Sequence, residues 1–175
     1  CNKMRSIVLP EGLLSIGDRA FWGCAAMTSL TIPDGVTSIG EYAFRACNSL
    51  TDITIPGSVE SLKKGLFYEA KSLITVRGDD GVKSIEEEAF YCCMSLKSVD
   101  IGEGVTVIGN NAFYECAALT DLLLPTSLRS IGDEAFKYCI SLKSLILPNG
   151  LESIGYDAFG TCESLTHVTL PSSIT

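Results

Sequence analysis

Residues 130–139 read SIGDEAFKYC, and residues 15–24 read the nearly identical SIGDRAFWGC. Both stretches belong to an internal repeat in which a phenylalanine recurs every 23 residues, with no insertion or deletion. In six of the seven repeats a cysteine follows the phenylalanine three residues later. A fixed period of this length is typical of solenoids. The seven phenylalanines are Phe21, Phe44, Phe67, Phe90, Phe113, Phe136 and Phe159.

The apolar spacing changes within each repeat. Phe136, Cys139 and Leu142 stand at positions i, i+3 and i+6, which suits a short helical or 3₁₀ turn with one inward face. The stretch LILP at 145–148 alternates instead, as a strand does, and its proline ends the strand. A second short extended piece, LESI at 151–154, leads to the next turn. One such unit cannot bury its apolar side alone, so neighbouring repeats are predicted to stack around a shared core.

The stretch TSLTIPDGVTSIGEYAFRACNSL at 28–50 resembles the BspA-like leucine-rich repeat, also called the Treponema pallidum type, and the resemblance covers the whole chain. It implies an α/β repeat fold: a right-handed leucine-rich-repeat solenoid with 23-residue repeats, a parallel β-sheet on the concave face and short helical or 3₁₀ turns on the other side. We expect residues 1–175 to form a single solenoid of about seven and a half repeats within a longer protein. The third repeat departs from the pattern at Lys63, Ala70, Gly78 and Asp79, so its geometry should be the least regular.

Composition excludes some classes of partner. The net charge is -8, and no cluster of Lys and Arg offers a site for nucleic acid phosphates. No apolar run approaches the roughly 18 residues that a membrane helix needs, so direct membrane insertion is not expected. The resemblance implies a non-enzymatic protein-recognition solenoid of a cell-surface or secreted protein, with no cofactor, because several family members are described as adhesins that bind host matrix or cell-surface proteins. The alternatives are a carbohydrate-binding or cell-wall-associated module and an intracellular scaffold.

Eight cysteines suggest a metal site or disulfides, but seven of them occupy one position of the repeat. Stacked repeats would place neighbouring Cβ atoms about 5 Å apart, farther than the roughly 3.5–4.5 Å of a disulfide. A straight column without histidine does not converge on zinc. Cys92 stands outside this column and is the candidate for a reactive thiol, although an inert role is favoured. The thiols predicted to be buried, reduced and unmetallated are Cys24, Cys47, Cys93, Cys116, Cys139 and Cys162.

Catalytic and metal-binding groups are sparse. His167 is the only histidine, and Ser144 and Asp121 precede it by one and two repeats on the same outward column. Side chains in single file on a solvated sheet have no pocket or oxyanion hole, so no catalytic triad is predicted. The acidic run GDDGVKSIEEE at 78–88 offers oxygen ligands for calcium but matches no calcium-binding loop, so it is interpreted as a solvated face.

Two outward stripes are the candidate binding surfaces. Tyr68, Tyr91 and Tyr114 each follow a core phenylalanine, so they should stack on the turn side as an alternative glycan-binding stripe. On the sheet side, Leu123 and Ile146 place two large apolar side chains on a face whose other repeats are polar. Solenoids bind partners along such extended surfaces, so the sheet side is preferred. The candidate partner-binding residues are Leu123, Ile146, Arg77, Lys97, Asp100, Lys143 and His167.

Overall fold

The computed structural model describes residues 2–100, 102–120 and 122–169, which form short parallel strands joined by turns. These residues contain no helix, and therefore none long and apolar enough to cross a membrane. The strands are β1 (Ser15–Ile16), β2 (Ser38–Ile39), β3 (Asp52–Ile55), β4 (Ser61–Leu62), β5 (Thr75–Gly78), β6 (Ser84–Ile85), β7 (Ser98–Asp100), β8 (Val107–Ile108), β9 (Ser130–Ile131), β10 (Ser144–Ile146), β11 (Ser153–Ile154) and β12 (His167–Thr169).

The strands stack in two series, and every pair is parallel and offset by one repeat. The longer strands form a three-stranded sheet in the order β3-β5-β7 and a two-stranded pair of β10 with β12. The outward surface of this series, including residues 122–124, is the sheet face. The shorter strands form a five-stranded sheet in the order β11-β9-β8-β6-β4 and a pair of β1 with β2. The register places Thr75 opposite Ser98, so the 23-residue period of the sequence is the period of the solenoid.

The turns around the phenylalanines are not helical, which corrects the prediction of short helical or 3₁₀ segments. The residues two positions before and after each phenylalanine adopt a left-handed backbone, as do Glu88 (φ 59°) and Cys92 (φ 56°) around Phe90. The left-handed residues on both sides of each phenylalanine align its N–H group along the solenoid axis. The Phe90 N–H therefore donates to the Ala112 carbonyl of the next repeat at 2.8 Å. Left-handed non-glycine residues cost about 1–2 kcal/mol each, and the bonds between repeats offset this cost.

The core is a stack of phenylalanine rings surrounded by aliphatic side chains. Successive rings lie nearly parallel, with centroids 5.0–5.5 Å apart and interplanar angles of 14° or less. Phe44, Phe67, Phe90, Phe113 and Phe136 are fully buried. Burial of each such ring stabilises the fold by roughly 1.5–3 kcal/mol. No polar or charged side chain is fully buried within the described ranges. The stacked core therefore depends on apolar contacts between neighbouring repeats.

The third repeat is more regular than its sequence suggests. Lys63 and Glu86 occupy a position that is glycine in the other repeats, and they form an ion pair with Nζ and Oε1 3.0 Å apart. Glu86 Oε2 also accepts a hydrogen bond from the Lys64 N–H at 3.1 Å. At Gly40, Gly109, Gly132 and Gly155 a Cβ atom would collide with the preceding repeat; at Gly132 it would lie 2.6 Å from the Asn110 backbone nitrogen. Strand β5 of this repeat is paired on both sides, so the expected irregularity is not found there.

Candidate functional site

One column of the sheet face carries the two large apolar residues predicted from the sequence. Ile146 lies in β10, where alternation turns its neighbours Leu145 and Leu147 into the core and its own side chain outward. Leu123 stands one repeat earlier at the same position. The side chain of Leu123 is 91% exposed and that of Ile146 is 70% exposed. Both residues are therefore free to contact a partner.

The predicted polar surround lies on the same face in neighbouring repeats. Arg77 of β5 and Asp100 of β7 are register partners, and both are exposed. Lys97 and Lys143 precede β7 and β10 and are also exposed. No ion pair joins these groups to one another or to any other side chain in the described part of the chain. Their charges therefore remain available to a partner.

The histidine lies at the edge of this surface. His167 begins β12 opposite Ser144, and its Nδ1 lies 2.9 Å from the Thr166 hydroxyl oxygen. Both His167 and Ser144 are exposed. Asp121, the third residue of the weak triad pattern, lies outside the described residues. Ser144 and His167 thus lie side by side on an open, exposed part of the sheet.

The sequence interpretation missed one member of the column. Val8 stands 23 residues before Thr31, at the register position shared with Leu123 and Ile146, and it is 95% exposed. The signal was present, because the repeat extends backwards from the first phenylalanine. Val8 lies far along the column from Leu123 and Ile146, so it is a separate exposed apolar residue and does not extend the apolar patch that those two form.

A cavity opens beside Leu123, between β7 and residues 122–124. Its volume is about 340 Å³, and it reaches the core at Ile108 and Phe113. Leu122 and Leu124 are only half-buried, whereas Leu145 and Leu147, at the same positions one repeat later, are buried. Residues 122–124 form no strand ladder with either neighbouring repeat among the described residues. We call this opening the wedge.

The turn that follows β7 departs from the repeat pattern. Most repeats have proline immediately after the sheet strand, but Asp79 and Gly102 replace it in two successive repeats. Gly102 adopts a positive φ of 73°, a conformation that proline cannot reach. The chain therefore leaves β7 by a different turn from that of the proline-containing repeats.

The tyrosine stripe on the turn side is a closed stack. The ring centroids of Tyr68 and Tyr91 are 4.7 Å apart and those of Tyr91 and Tyr114 are 4.8 Å apart, with interplanar angles of 8° and 3°. The Arg45 guanidinium covers the outer face of this stack at 4.6 Å from the Tyr68 centroid. Both faces of the two rings Tyr68 and Tyr91 are thus occupied. A glycan would have to bind mainly to ring edges and hydroxyl groups.

The hydroxyl groups of this stack stay neutral at physiological pH. Burial, reinforced by Cys92 and the neighbouring tyrosines, raises the pKa of Tyr91 to about 12. Burial is also the main cause of the raised pKa of Tyr68 and of Tyr114. The stack therefore presents phenol groups that donate and accept hydrogen bonds without carrying charge.

The cysteine column links successive repeats through weak hydrogen bonds. The Cys116 thiol donates to the Phe90 carbonyl at 3.2 Å, and Cys139 donates to the Phe113 carbonyl at 3.3 Å. Burial raises the pKa of Cys47 to about 11 and holds the thiols neutral. All described cysteines are free thiols. Five residues of the predicted set are buried, whereas Cys162 is only half-buried; the five are Cys24, Cys47, Cys93, Cys116 and Cys139.

Cys92, the candidate reactive thiol, has the properties of an inert one. It is half-buried, and its Sγ lies 3.0 Å from Glu115 Oε2. Burial first, and then the hydrogen bond to Glu115, raises the pKa of Cys92 to about 12. A thiol is nucleophilic as the thiolate, which a low-polarity site and a nearby carboxylate both disfavour.

The glutamates of the acidic run at 78–88 each contact a different partner. Besides the Lys63–Glu86 pair, Glu87 forms an ion pair with Lys64 at 3.1 Å, and Glu88 accepts a hydrogen bond from the Tyr42 hydroxyl at 3.1 Å. No group of three or more potential metal ligands occurs within residues 2–100, 102–120 and 122–169. The run therefore serves contacts between repeats one or two positions apart along the solenoid.

Comparison with known proteins identifies the family. A model of the BspA type leucine rich repeat region matches in 6 copies, over residues 1–120 and 66–175. A leucine-rich repeat protein from Bacteroides ovatus is 30% identical with a TM-score of 0.74, and the alignment covers 99% of this chain and 50% of that one. The Treponema pallidum leucine-rich repeat protein is 29% identical with a TM-score of 0.69, over 97% and 72% of the two chains.

The pneumococcal vaccine antigen PcpA shares the fold at 23% identity and a TM-score of 0.60, over 98% of this chain and 52% of that one. No curated protein matches. The chain spans about half the length of the Bacteroides ovatus relative. The family match extends over the whole sequence, and the stacked 23-residue repeats agree with it. The chain belongs to the BspA-type leucine-rich repeat family.

Proposed function

We propose that this chain is a non-enzymatic protein-recognition solenoid of a cell-surface or secreted protein, and that it mediates adhesion to a host matrix or cell-surface protein. The observation that carries the proposal is the exposure of Leu123 and Ile146, at 91% and 70%, on one column of the sheet face. Family membership supports it, because leucine-rich repeat solenoids commonly mediate protein interactions.

The energetics favour the sheet face as the contact surface. Complete burial of a Leu or Ile side chain contributes roughly 1.5–3 kcal/mol, so covering Leu123 and Ile146 together contributes about 3–6 kcal/mol to binding. Arg77, Asp100 and Lys143 carry charges that no other described side chain neutralises through an ion pair. An apolar centre with a charged rim is the usual anatomy of a protein interface, in which the rim selects the partner.

The test is attachment of beads that carry the parent protein to surfaces coated with extracellular matrix proteins. Replacing Leu123→Ser and Ile146→Ser together should abolish attachment and leave folding intact, because both side chains lie in solvent. The matched control is Thr31→Ser with Thr54→Ser, two exposed positions of the same column, which should attach normally. Normal attachment of the Leu123 and Ile146 variant would contradict the proposal.

The glycan alternative is tested on the tyrosine stack. Replacing Tyr68, Tyr91 and Tyr114 with Phe keeps the stacked rings and removes the three hydroxyl groups through which a glycan would bind. Attachment should survive this change. If it is lost while the Leu123 and Ile146 variant still attaches, the turn side is the binding surface. The third alternative, an intracellular scaffold, predicts that protease added to intact cells leaves the parent protein uncut.

A further inference from the structure

The asparagines of the chain differ in the residue that follows them and in the contacts of their side chains. Asn149 is the only asparagine followed by glycine. Asn48 and Asn110 accept hydrogen bonds through Oδ1, from the Lys71 N–H at 3.3 Å and from the Asp133 N–H at 2.8 Å. Among the described residues no hydrogen bond holds the Asn149 side chain, and Asn149 is exposed. Its amide group is therefore free to turn toward the main chain.

The backbone nitrogen of Gly150 is also unconstrained. Asn149 and Gly150 are the central residues of a turn, which the Leu151 N–H closes by donating to the Pro148 carbonyl at 3.0 Å. The Gly150 N–H takes no part in this bond and donates to no other described group. The same is true of the residue at this position in the six preceding turns, which are those of Gly12, Gly35, Ser58, Gly81, Gly104 and Ser127. The free N–H is therefore a property of the repeat.

Glycine at position 150 leaves the approach to this nitrogen open. A side chain on the residue after an asparagine shields the backbone nitrogen, and glycine has none. A Cβ atom at position 150 would meet the Arg129 guanidinium, whose Nη1 donates to the Gly150 carbonyl at 3.3 Å. The contact with the preceding repeat thus favours glycine directly after Asn149.

We propose that Asn149 is a site of spontaneous deamidation, which converts the residue to aspartate and isoaspartate. The Gly150 nitrogen gives its proton to hydroxide and forms a bond to Asn149 Cγ, and the side-chain nitrogen leaves as ammonia. One water molecule then opens the five-membered imide. Cleavage of the bond from this nitrogen to Cγ gives aspartate, whereas cleavage of its bond to the main-chain carbonyl carbon gives isoaspartate. The inference does not depend on the proposed function, because it concerns the chemistry of the turn alone.

The products change the charge of the turn, and one of them also changes its main chain. The new carboxylate makes the net charge of -8 more negative by one unit. Arg129 and Glu152 are charged groups beside the turn, with Nε and Oε1 3.9 Å apart. In isoaspartate the main chain passes through Cβ, which alters the spacing between Pro148 and Leu151. Residue 149 is three positions from Ile146, at most about 11 Å away, so the charge appears next to the sheet face.

The experiment incubates the purified full chain, folded in buffer or unfolded in urea, at pH 7 and pH 8. Isoelectric focusing follows the charge, mass spectrometry of peptides locates the converted residue, and enzymatic methylation detects isoaspartate. In the folded chain, conversion should concentrate at Asn149 and leave Asn48 and Asn110 intact. The rate should be about 10-fold higher at pH 8, in proportion to hydroxide.

Two variants test the role of each reacting group. Gly150→Ser should slow conversion by on the order of 10-fold, because the side chain shields the nitrogen. Serine already occupies this position in the turns of Ser58 and Ser127, so the fold accepts it. Asn149→Gln should remove the acidic product, because its longer side chain disfavours closure of the imide ring. This variant carries the test if Gly150→Ser does not fold.

Three results would overturn the proposal. The first is a folded chain that keeps Asn149 intact under conditions that convert it in urea, because the turn would then protect the residue. The second is conversion of Asn48 or Asn110 as fast as that of Asn149. The third is an acidic shift of the Asn149→Gln variant at the rate of the wild type.

Discussion

The thiol column provides a quantitative test of how the repeats are held together. Cys116 is completely buried, and its thiol donates to the Phe90 carbonyl of the preceding repeat at 3.2 Å. Cys116→Ser buries a hydroxyl group at a cost of about 1–3 kcal/mol, of which the hydrogen bond to the same carbonyl returns about 1 kcal/mol. The expected loss of unfolding free energy is therefore up to about 2 kcal/mol. In a protein of this size such a loss corresponds to a fall in Tm of up to about 8 °C.

The assay is urea-induced unfolding followed by circular dichroism in reducing buffer, with the unfolding midpoint and slope fitted for each variant. The control is Cys92→Ser, which changes a half-buried thiol outside the column and should shift the unfolding free energy by no more than about 0.5 kcal/mol. If Cys116→Ser costs no more than Cys92→Ser, the buried column does not stabilise the stack and the argument fails.

Three further predictions follow from the contacts between repeats. Burial raises the pKa of Cys47 from 9.0 to about 11. The stabilising contribution of this thiol should therefore be complete below pH 9 and lost as the pH rises through about 11. Urea midpoints of wild type and Cys47→Ala, measured at pH 8 and pH 10.5, should converge at the higher pH. Lys63→Ala should cost up to about 1 kcal/mol in low salt and less in high salt, because it leaves Glu86 unpaired; a salt-independent cost would remove the ion pair from the explanation. Amides of residues 122–124 should exchange hydrogen faster than those of β3 and β5, and equal protection would contradict the wedge.

The sequence predicted the stacking well because stacking is a consequence of the period. Parallel strands offset by one repeat require identical spacing, and Thr75 opposite Ser98 follows directly from that rule. The inward and outward alternation around Ile146 follows from strand geometry in the same way. The two exposed apolar residues and their polar surround could therefore be placed on one face from the repeat pattern alone.

Other features depend on contacts that spacing does not encode. The spacing of Phe136, Cys139 and Leu142 turns one face inward in either a helix or the observed non-helical turn. The observed turn is favoured because the Phe136 N–H donates to the Ala158 carbonyl of the next repeat at 2.7 Å. Cys162 shares the sequence position of the buried thiols but is half-buried.

The central claim is that the sheet face around Leu123 and Ile146 binds the partner. The most direct measurement is hydrogen exchange of the chain, free and bound to the matrix protein that retains it in the bead assay, with protection mapped along the sequence. Protection should concentrate in residues 122–124, in β10 and at the start of β12, with little change around Tyr68, Tyr91 and Tyr114. Protection confined to the tyrosine stack, with the sheet face unchanged, would contradict the claim.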